Sequence, residues 1–545
     1  TIDYSPLSLT PMNVNATRLP YRQTNAFTRM VLDYVDQAPA LTTFYQHTVS
    51  IQGIQAAIKQ REAFPTNREV LVSQLQAQYS GIETTEKVKA NIDKLRQAST
   101  FTITAAHQNN LFTGPLYFIY KIVHAIKLAD QLNTLYTDRH FVPVFYIGSE
   151  DADLEELNHI YLHNEKLSWN TKQTGAVGRM KVDKELISLL EKMQGQLSVW
   201  PHGRELIDLL RQCYTLGRSI ADASFQFVNT LFGEYGLVVL QPDNSALKAQ
   251  MSLVFQDDLL NQTASSIVEK TALALEEKGY KVQANPREIN LFYLEGDQRN
   301  RIEKIIDEWK VLNRFTRFNS QELLEELKQH PERFSPNVIL RGLYQETILP
   351  NVAFIGGGGE TAYWLQLKGL FEHYKVPFPV LVLRNSFLLM ETDWANKLEK
   401  LGFNPEQLFL EEQDLMNNLV RRESKLPIDL DDSIKELETL YEQFRSQASL
   451  IDPTLGRHVD ALKAGVLKKI HELEKKMLRA ERRKFADKQN QLHRIKEHLF
   501  PNHGLQERRE NLCLYYAKYG AAFISSLYAH SLTLEQEFMI LREKE

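Results

Sequence analysis

Five short apolar runs, at 101–106, 142–147, 237–240, 352–355 and Val380–Leu383, alternate along the chain with longer stretches of helical periodicity. This alternation is the signature of parallel strands joined by helices, and it constrains the fold more than any other feature. Between the first two runs, residues 115–132 place Leu116, Ile119, Tyr120, Val123, Ile126 and Leu128 at helical spacings, a broad apolar face suited to packing on a sheet. Pro115 fits the first turn of that helix, where a missing N–H costs little. The pattern predicts an α/β protein with a Rossmann-like parallel core. Two stretches, 160–235 and 265–345, are too long for simple crossovers and read as mostly helical insertions, the second with a strand at 289–294.

Beyond Ser433 the pattern changes. Pro427, Pro453 and Pro501 punctuate helical segments with almost no strand signal. Val459, Leu462, Val466, Ile470, Leu473, Met477 and Ala480 recur at steps of three and four, the spacing of a coiled-coil seam on one helix over 455–499. The expected organisation is a core with its insertions over 1–430 and a helical coiled-coil region over 431–545. An apolar seam on so long a helix calls for a partner, so a homodimer is expected. The basic residues Lys468, Lys469, Lys475, Lys476, Arg479, Arg482, Arg483 and Lys484 read as a solvated face rather than a polyanion site.

Sixty-four basic against 69 acidic residues, a formal charge of −5, offer no global attraction to nucleic acid or anionic lipid. Residues 1–21 lack a basic segment followed by an apolar one, and no apolar run approaches the ~20 residues that span a bilayer. A cytoplasmic location without nucleic-acid or membrane partners is therefore expected. Cys213 and Cys513 are too far apart for a Cys-x-x-Cys pair and read as buried apolar residues.

In an open parallel sheet, ligands collect beyond the carboxyl ends of the strands. After the first run stand His107, Gln108, Asn109, Asn110, Thr113 and Gly114, just before a helix N-terminus that could receive an anion or phosphate; capping by Thr113 is the structural alternative. Lys121 is placed either to reach the same cleft or to extend to water. After the second run come Ser149 and five carboxylates between Glu150 and Glu156. Asp153 with Glu156 resembles a capping box. Glu150 and Asp151, nearest the strand end, are placed to hold an amine, a divalent ion or a transferring proton. His159 and His163 have the helical spacing of a metal pair but no third ligand, so no metal site is assigned. Gly356, Gly357, Gly358 and Gly359 lie between a strand and a helix carrying Glu360, Tyr363 and Trp364. Such a run suits a ligand close to the backbone, a nucleotide or a sugar, although it is neither a phosphate loop ending in Lys nor a Gly-x-Gly-x-x-Gly fingerprint. Arg384, Asn385 and Ser386 follow the last run; Arg384 either binds an anion or pairs with a carboxylate.

His107-Gln108 followed by Leu-Phe-Thr-Gly-Pro-Leu-Tyr at 111–117, Ser-Glu-Asp at 149–151 with Asn158-His159, Asn-Leu-Phe-Tyr at 290–293 and Gly-Gly-Glu-Thr-Ala-Tyr-Trp at 358–364 together resemble the cysteine-adding enzymes of bacillithiol biosynthesis. The likeness runs in order from about residue 100 to 395, with the coiled coil beyond. It implies a Rossmann-type core distantly related to class I aminoacyl-tRNA synthetases, inserted connecting segments and a dimerising coiled coil. It also implies a ligase that joins cysteine, through its carboxylate, to the amine of glucosaminyl-malate, with ATP or another adenine nucleotide as the expected activator. On that reading His107, Gln108, Thr113 and Lys121 handle an anion, and Glu150 and Asp151 bind the amine or accept its proton. The glycines with Glu360, Tyr363 and Trp364 hold sugar or nucleotide. Arg384 and Ser386 hold carboxylates or phosphate, and Asn109, Gly114, Tyr117, Ser149 and Asp153 complete the substrate contacts. The chain departs from the family pattern in having Ala105-Ala106 where Thr-Gly is expected, and it lacks a Lys-Met-Ser-Lys-Ser segment and a cysteine-lined zinc site. A noncatalytic coiled-coil scaffold and a sugar-nucleotide glycosyltransferase are the rival readings.

Overall fold

Each apolar run is a strand in the computed structural model, which describes residues 11–426 and 429–544. Residues 1–10 of the N-terminal segment read for a leader, and Pro427, lie outside these. The strands are β1 (Thr100–Gln108), β2 (His140–Gly148), β3 (Val238–Leu240), β4 (Asn351–Gly356) and β5 (Val380–Leu383). They pair in the order β5-β4-β1-β2-β3, all parallel. Both faces of β1 are covered: Phe101, Ile103 and Ala105 are buried, and so are Thr100, Thr102 and Thr104. Two of the threonines tolerate burial because the Asn351 side-chain oxygen, at the start of β4, accepts from the hydroxyls of Thr102 (3.1 Å) and Thr104 (2.8 Å).

Three helices position the site: α1 (Tyr117–Leu135), α2 (Val338–Ile348) and α3 (Gly358–Tyr374). The chain leaves β1 through α1 for β2 on one side, and leaves β4 through α3 for β5 on the other. Adjacent strands whose connections diverge open a crevice at their carboxyl ends, the topological switch point of a doubly wound sheet.

The first insertion is mostly helical, with helices Lys184–Leu197, Gly203–Cys213 and Ile220–Phe232 after a hairpin of His159–Leu162 and Glu165–Ser168. His159 and His163 therefore sit on a strand and at its turn, which removes the helical spacing read for them. The second insertion differs from expectation. It holds a five-stranded antiparallel sheet in the order Arg317–Phe318, Glu308–Val311, Gln298–Ile305, Leu291–Glu295, Phe334–Pro336. Only one strand was legible because the middle ones bury little; Gln298–Ile305 buries Ile302 alone, so no apolar run announces it.

By contacts, residues 11–22, 26–388 and 505–541 make one compact unit, and the described residues of 23–25, 389–504 and 542–544 a second. In the second, α4 (Asp431–Ile451) and α5 (Leu455–Arg482) form a hairpin. The Asp452 carboxylate fixes the turn by accepting from the Thr454 N–H (2.7 Å) and hydroxyl (2.8 Å). The single helix read over 455–499 is interrupted by a 3-10 turn at Arg483–Phe485 before α6 (Ala486–Leu499). The seam ending at Ala480 would continue at 491, 494 and 498, yet the buried residues are Leu492, Ile495 and Leu499. The shift is already made before the turn, where α5 buries Leu478 and Glu481 rather than Met477 and Ala480.

In the first unit two buried polar groups tie distant segments together. The Arg61 guanidinium donates to the Glu346 carboxylate (2.8 Å), the Glu346 carbonyl (2.7 Å) and the Asn351 carbonyl (2.9 Å), joining helix Ile51–Glu62 to α2 and β4. In α1, His124 Nε2 meets the Thr533 carbonyl (2.7 Å) and Nδ1 accepts from the Asn385 N–H (3.0 Å). Burial pulls the His124 pKa from 6.5 down to about 4. The unfolded chain thus binds a proton that the folded chain refuses, so this contribution to stability is complete above pH 6.5 and is lost as pH falls through about 4. Urea midpoints measured from pH 7.5 to 4.5 should fall on acidification, and His124→Asn should remove on the order of 3 kcal/mol of that dependence.

Candidate active site

β1 pairs with β4, Ile355 opposite Ala105, and with β2, His107 opposite Ile147. The imidazole-bearing end of β1, the end of β2 and the glycine turn therefore meet around one cavity of about 320 Å³. His107, Gln108, Tyr117, Lys121, Gly357, Gly358, Gly359, Glu360, Tyr363 and Arg384 line it, together with Tyr146, Arg341 and Arg508. The strand runs straight through Ala105 and Ala106 to Gln108, with no tight turn at the place where this chain departs from the family pattern.

Lys121 is buried on α1. Its ammonium donates to the Ala106 carbonyl (2.9 Å), pairs with the Glu360 carboxylate and lies 3.4 Å from His107 Nδ1. An ammonium donating to Nδ1 assigns the ring proton to Nε2. Nε2 is buried without a partner. Desolvation and the nearby charges of Lys121, Arg341 and Arg384 hold the His107 pKa well below 6.5. The site thus offers a neutral imidazole N–H, suited to hydrogen-bond an anionic oxygen rather than to shuttle protons. Glu360 also accepts from the Gly357 N–H (2.8 Å), which caps α3.

The two carboxylates at the end of β2 diverge. Asp151 accepts from Arg341 (2.7 Å), with Arg299 of the second insertion at 3.8 Å. These cations outweigh burial and keep its carboxyl below the usual range. It is a fixed anion that holds Arg341, and it does not itself line the cavity. Glu150 is buried against the Lys248 ammonium, which also donates to Asp243 (3.0 Å), itself held by Arg179 at 2.7 and 2.9 Å. Burial pushes the Glu150 pKa up, with Lys248 opposing. Ser149 packs on Gly178, and Asp153 is exposed and makes no side-chain cap, so the capping box read at 153–156 does not form.

Arg384 lies between the cavity and the C-terminal segment. It donates to Glu507 (2.7 Å), Ser386 Oγ (3.1 Å) and the Asn385 carbonyl (3.0 Å), while its Nε is buried and unpartnered. Ser386 is buried with Glu507 and is not among the lining residues. The same C-terminal segment pins the loop before α1. Asn511 Nδ2 donates to the carbonyls of Phe112 (3.0 Å) and Gly114 (2.5 Å), and Leu116 N–H donates to the Glu510 carbonyl (2.8 Å). That loop needs such support because Phe112 (φ 48°) and Thr113 (φ 71°) are both left-handed, an unfavourable conformation outside glycine. Thr113 caps nothing, and its buried hydroxyl has no partner. Asn109 is buried against Ser224 (3.3 Å), away from the lining.

Among the four glycines, none has a positive φ; the run exists for space. A Cβ on Gly356 would stand 2.9 Å from the Phe354 ring, so this glycine serves packing. One on Gly357 would meet Arg384 Nε at 3.5 Å and Glu360 at 3.4 Å, and one on Gly359 would meet nothing within 4 Å. Trp364 points inward and stacks on Phe354 (centroids 4.6 Å apart). Among the described residues, no three His, Cys, Asp or Glu side chains converge to hold a metal ion.

The family model described as the bacillithiol biosynthesis BshC N-terminal Rossmann-like domain matches residues 12–385, and that for the BshC C-terminal coiled-coil domain matches 387–543. The chain belongs to the bacillithiol biosynthesis BshC family. A BshC protein of Flavobacterium psychrophilum, named "Putative cysteine ligase BshC", is 38% identical over 527 residues, covering 96% of this chain and 99% of its own. Relatives of the same name from Flavobacterium johnsoniae and Christiangramia forsetii are each 37% identical, over 96% of this chain and 99% and 98% of theirs. In this BshC chain, sequence reasoning missed Tyr146, Arg341, Glu507, Arg508 and Asn511. The signal available for the last three was a polar run, 506–511, between two helical stretches, too dense in charge to be an ordinary buried segment yet mostly buried. Because Gly357 has ordinary dihedrals and room for a methyl group, Gly357→Ala should leave the thermal midpoint within about 2 °C and lower turnover by about tenfold or more by narrowing the gap to Arg384; a calorimetric scan and a rate measurement together check this.

Proposed function

We propose that this chain is a carbon–nitrogen ligase that joins the carboxyl group of L-cysteine to the amine of glucosaminyl-malate, the last step of bacillithiol formation. The observation that carries the reading is the near full-length match to proteins named as cysteine ligases. The cavity supports it chemically. The two substrates bring three carboxylates between them, and Lys121, Arg341, Arg384 and Arg508 surround the space that would receive them. The His107 Nε2–H is placed to stabilise the oxyanion that develops as the amine adds to the acyl carbon. Glu360, the carboxylate among the lining residues, holds Lys121 there, while Glu150 and Asp151 are taken up by Lys248 and Arg341, so the site's carboxylates position cations rather than the amine.

An adenine nucleotide fits the donor set. The unpartnered nitrogens of His107 and Arg384, the opening beside Gly357 and the first N–H groups of α3 make an anion-binding concavity. When bound, such a group supplies the activation that turns a carboxylate into a competent acyl donor. The purified chain incubated with cysteine, glucosaminyl-malate and ATP should yield the amide thiol by mass spectrometry, with Lys121→Ala reducing the rate by about 100-fold or more. No product from any nucleotide, or nucleoside diphosphate release from a sugar nucleotide without cysteine, would remove the ligase reading.

We further propose a homodimer through α4 and α5. No residue of α4 is buried, and on α5 Leu462 and Leu473 are 49% and 51% exposed, leaving an apolar stripe that a second copy would cover. Light scattering should report twice the 63.1 kDa chain mass, and Leu462→Glu with Leu473→Glu should return the monomer. We place the reaction in the cytoplasm; the buried free thiols of Cys213 and Cys513 suit a reducing compartment.

A further inference from the structure

Four cations border the cavity, and three are matched. Lys121 faces Glu360, Arg341 faces Asp151 and Arg384 faces Glu507. Arg508 has no ion-pair or hydrogen-bond partner for its guanidinium among the described residues. The backbone on both sides of it is nevertheless fixed. Glu507 is buried and held by Arg384, Ser386 and the Phe387 N–H (3.2 Å), and Asn511 grips the loop before α1. Arg508 is thus an exposed, uncompensated charge on a pinned stem, beside Tyr117 at the cavity wall.

We propose that Arg508 reads the outer carboxylate of the dicarboxylic half of the acceptor and thereby sets specificity for it; this rests on the reading of the cavity as the site of cysteine and glucosaminyl-malate. A guanidinium fork matches the paired oxygens of a carboxylate or a phosphate equally well. The buried donors His107 Nε2 and Arg384 Nε lie deeper and suit the reacting or phosphate end. Arg508, being exposed, is left for the far end of the longer substrate. Neither its position nor its charge is needed for the acyl chemistry, so its effect should fall on acceptor affinity.

The test titrates the full-length wild type, Arg508→Gln and Arg508→Lys calorimetrically with glucosaminyl-malate, ATP, cysteine and methyl glucosaminide, which lacks the malyl group, and measures KM for each acceptor. Arg508→Gln should weaken glucosaminyl-malate binding and raise its KM by about 10- to 100-fold, with Arg508→Lys in between. Affinities for ATP, cysteine and methyl glucosaminide should match the wild type, which also shows that the variant is folded. Unchanged glucosaminyl-malate affinity in Arg508→Gln, a loss confined to ATP, or an equal loss for methyl glucosaminide would each overturn the proposal. If the wild type itself fails to bind glucosaminyl-malate, the function proposed above falls with it, an outcome distinct from normal wild-type binding with an indifferent Arg508.

Discussion

The ion pair between Lys121 and Glu360 spans the crevice where the sheet's two halves part, and the rest of the site is arranged around it. Each partner stands on the helix that follows one of two adjacent strands, so the pair can form only if β1 and β4 lie side by side with their connections diverging. It also assigns the neighbours. The ammonium sets the His107 tautomer, and the carboxylate caps α3 at Gly357. Removing either partner would leave a buried or half-buried charge uncompensated, typically about 3–5 kcal/mol, and would release the imidazole and the glycine turn together.

Around this pair the first unit handles charge by one rule: an anion near the cavity is used to hold a cation in place. Asp151 holds Arg341 and Glu507 holds Arg384. Glu150 faces the other way, into the Lys248 and Asp243 network. The result is a cavity that presents cations and hydrogen-bond donors to its contents while its carboxylates stay engaged. Such preorganised donors act on developing negative charge without having to reorient during the reaction.

The strands and the ligand-facing loops were legible because they rest on local pattern. Four to six apolar or small residues between turn signals suit a buried strand, and the switch point then follows from strand order. The antiparallel sheet of the second insertion escaped because its longest strand, Gln298–Ile305, buries one residue, Glu308–Val311 two and Arg317–Phe318 none. The change of phase in the seam escaped because a pattern read at steps of three and four does not reveal a single-residue shift until the buried set Leu478, Glu481, Leu492, Ile495 and Leu499 is known. Thr113, a reasonable cap on paper, lies in a left-handed turn gripped by Asn511, almost 400 residues away.

Sequence by itself determined the five-stranded core, the three loops that gather at one rim, the glycine turn and the helical coiled-coil region, since each is encoded within a window of contiguous residues. Tertiary structure decided what every charge in those loops does. Glu150 meets Lys248 at a separation of 98 residues, Asp151 meets Arg341 at 190, and Arg384 meets Glu507 at 123. The role of a carboxylate or guanidinium depends on the field of its neighbours, which falls off over a few ångströms in space and bears no relation to distance along the chain.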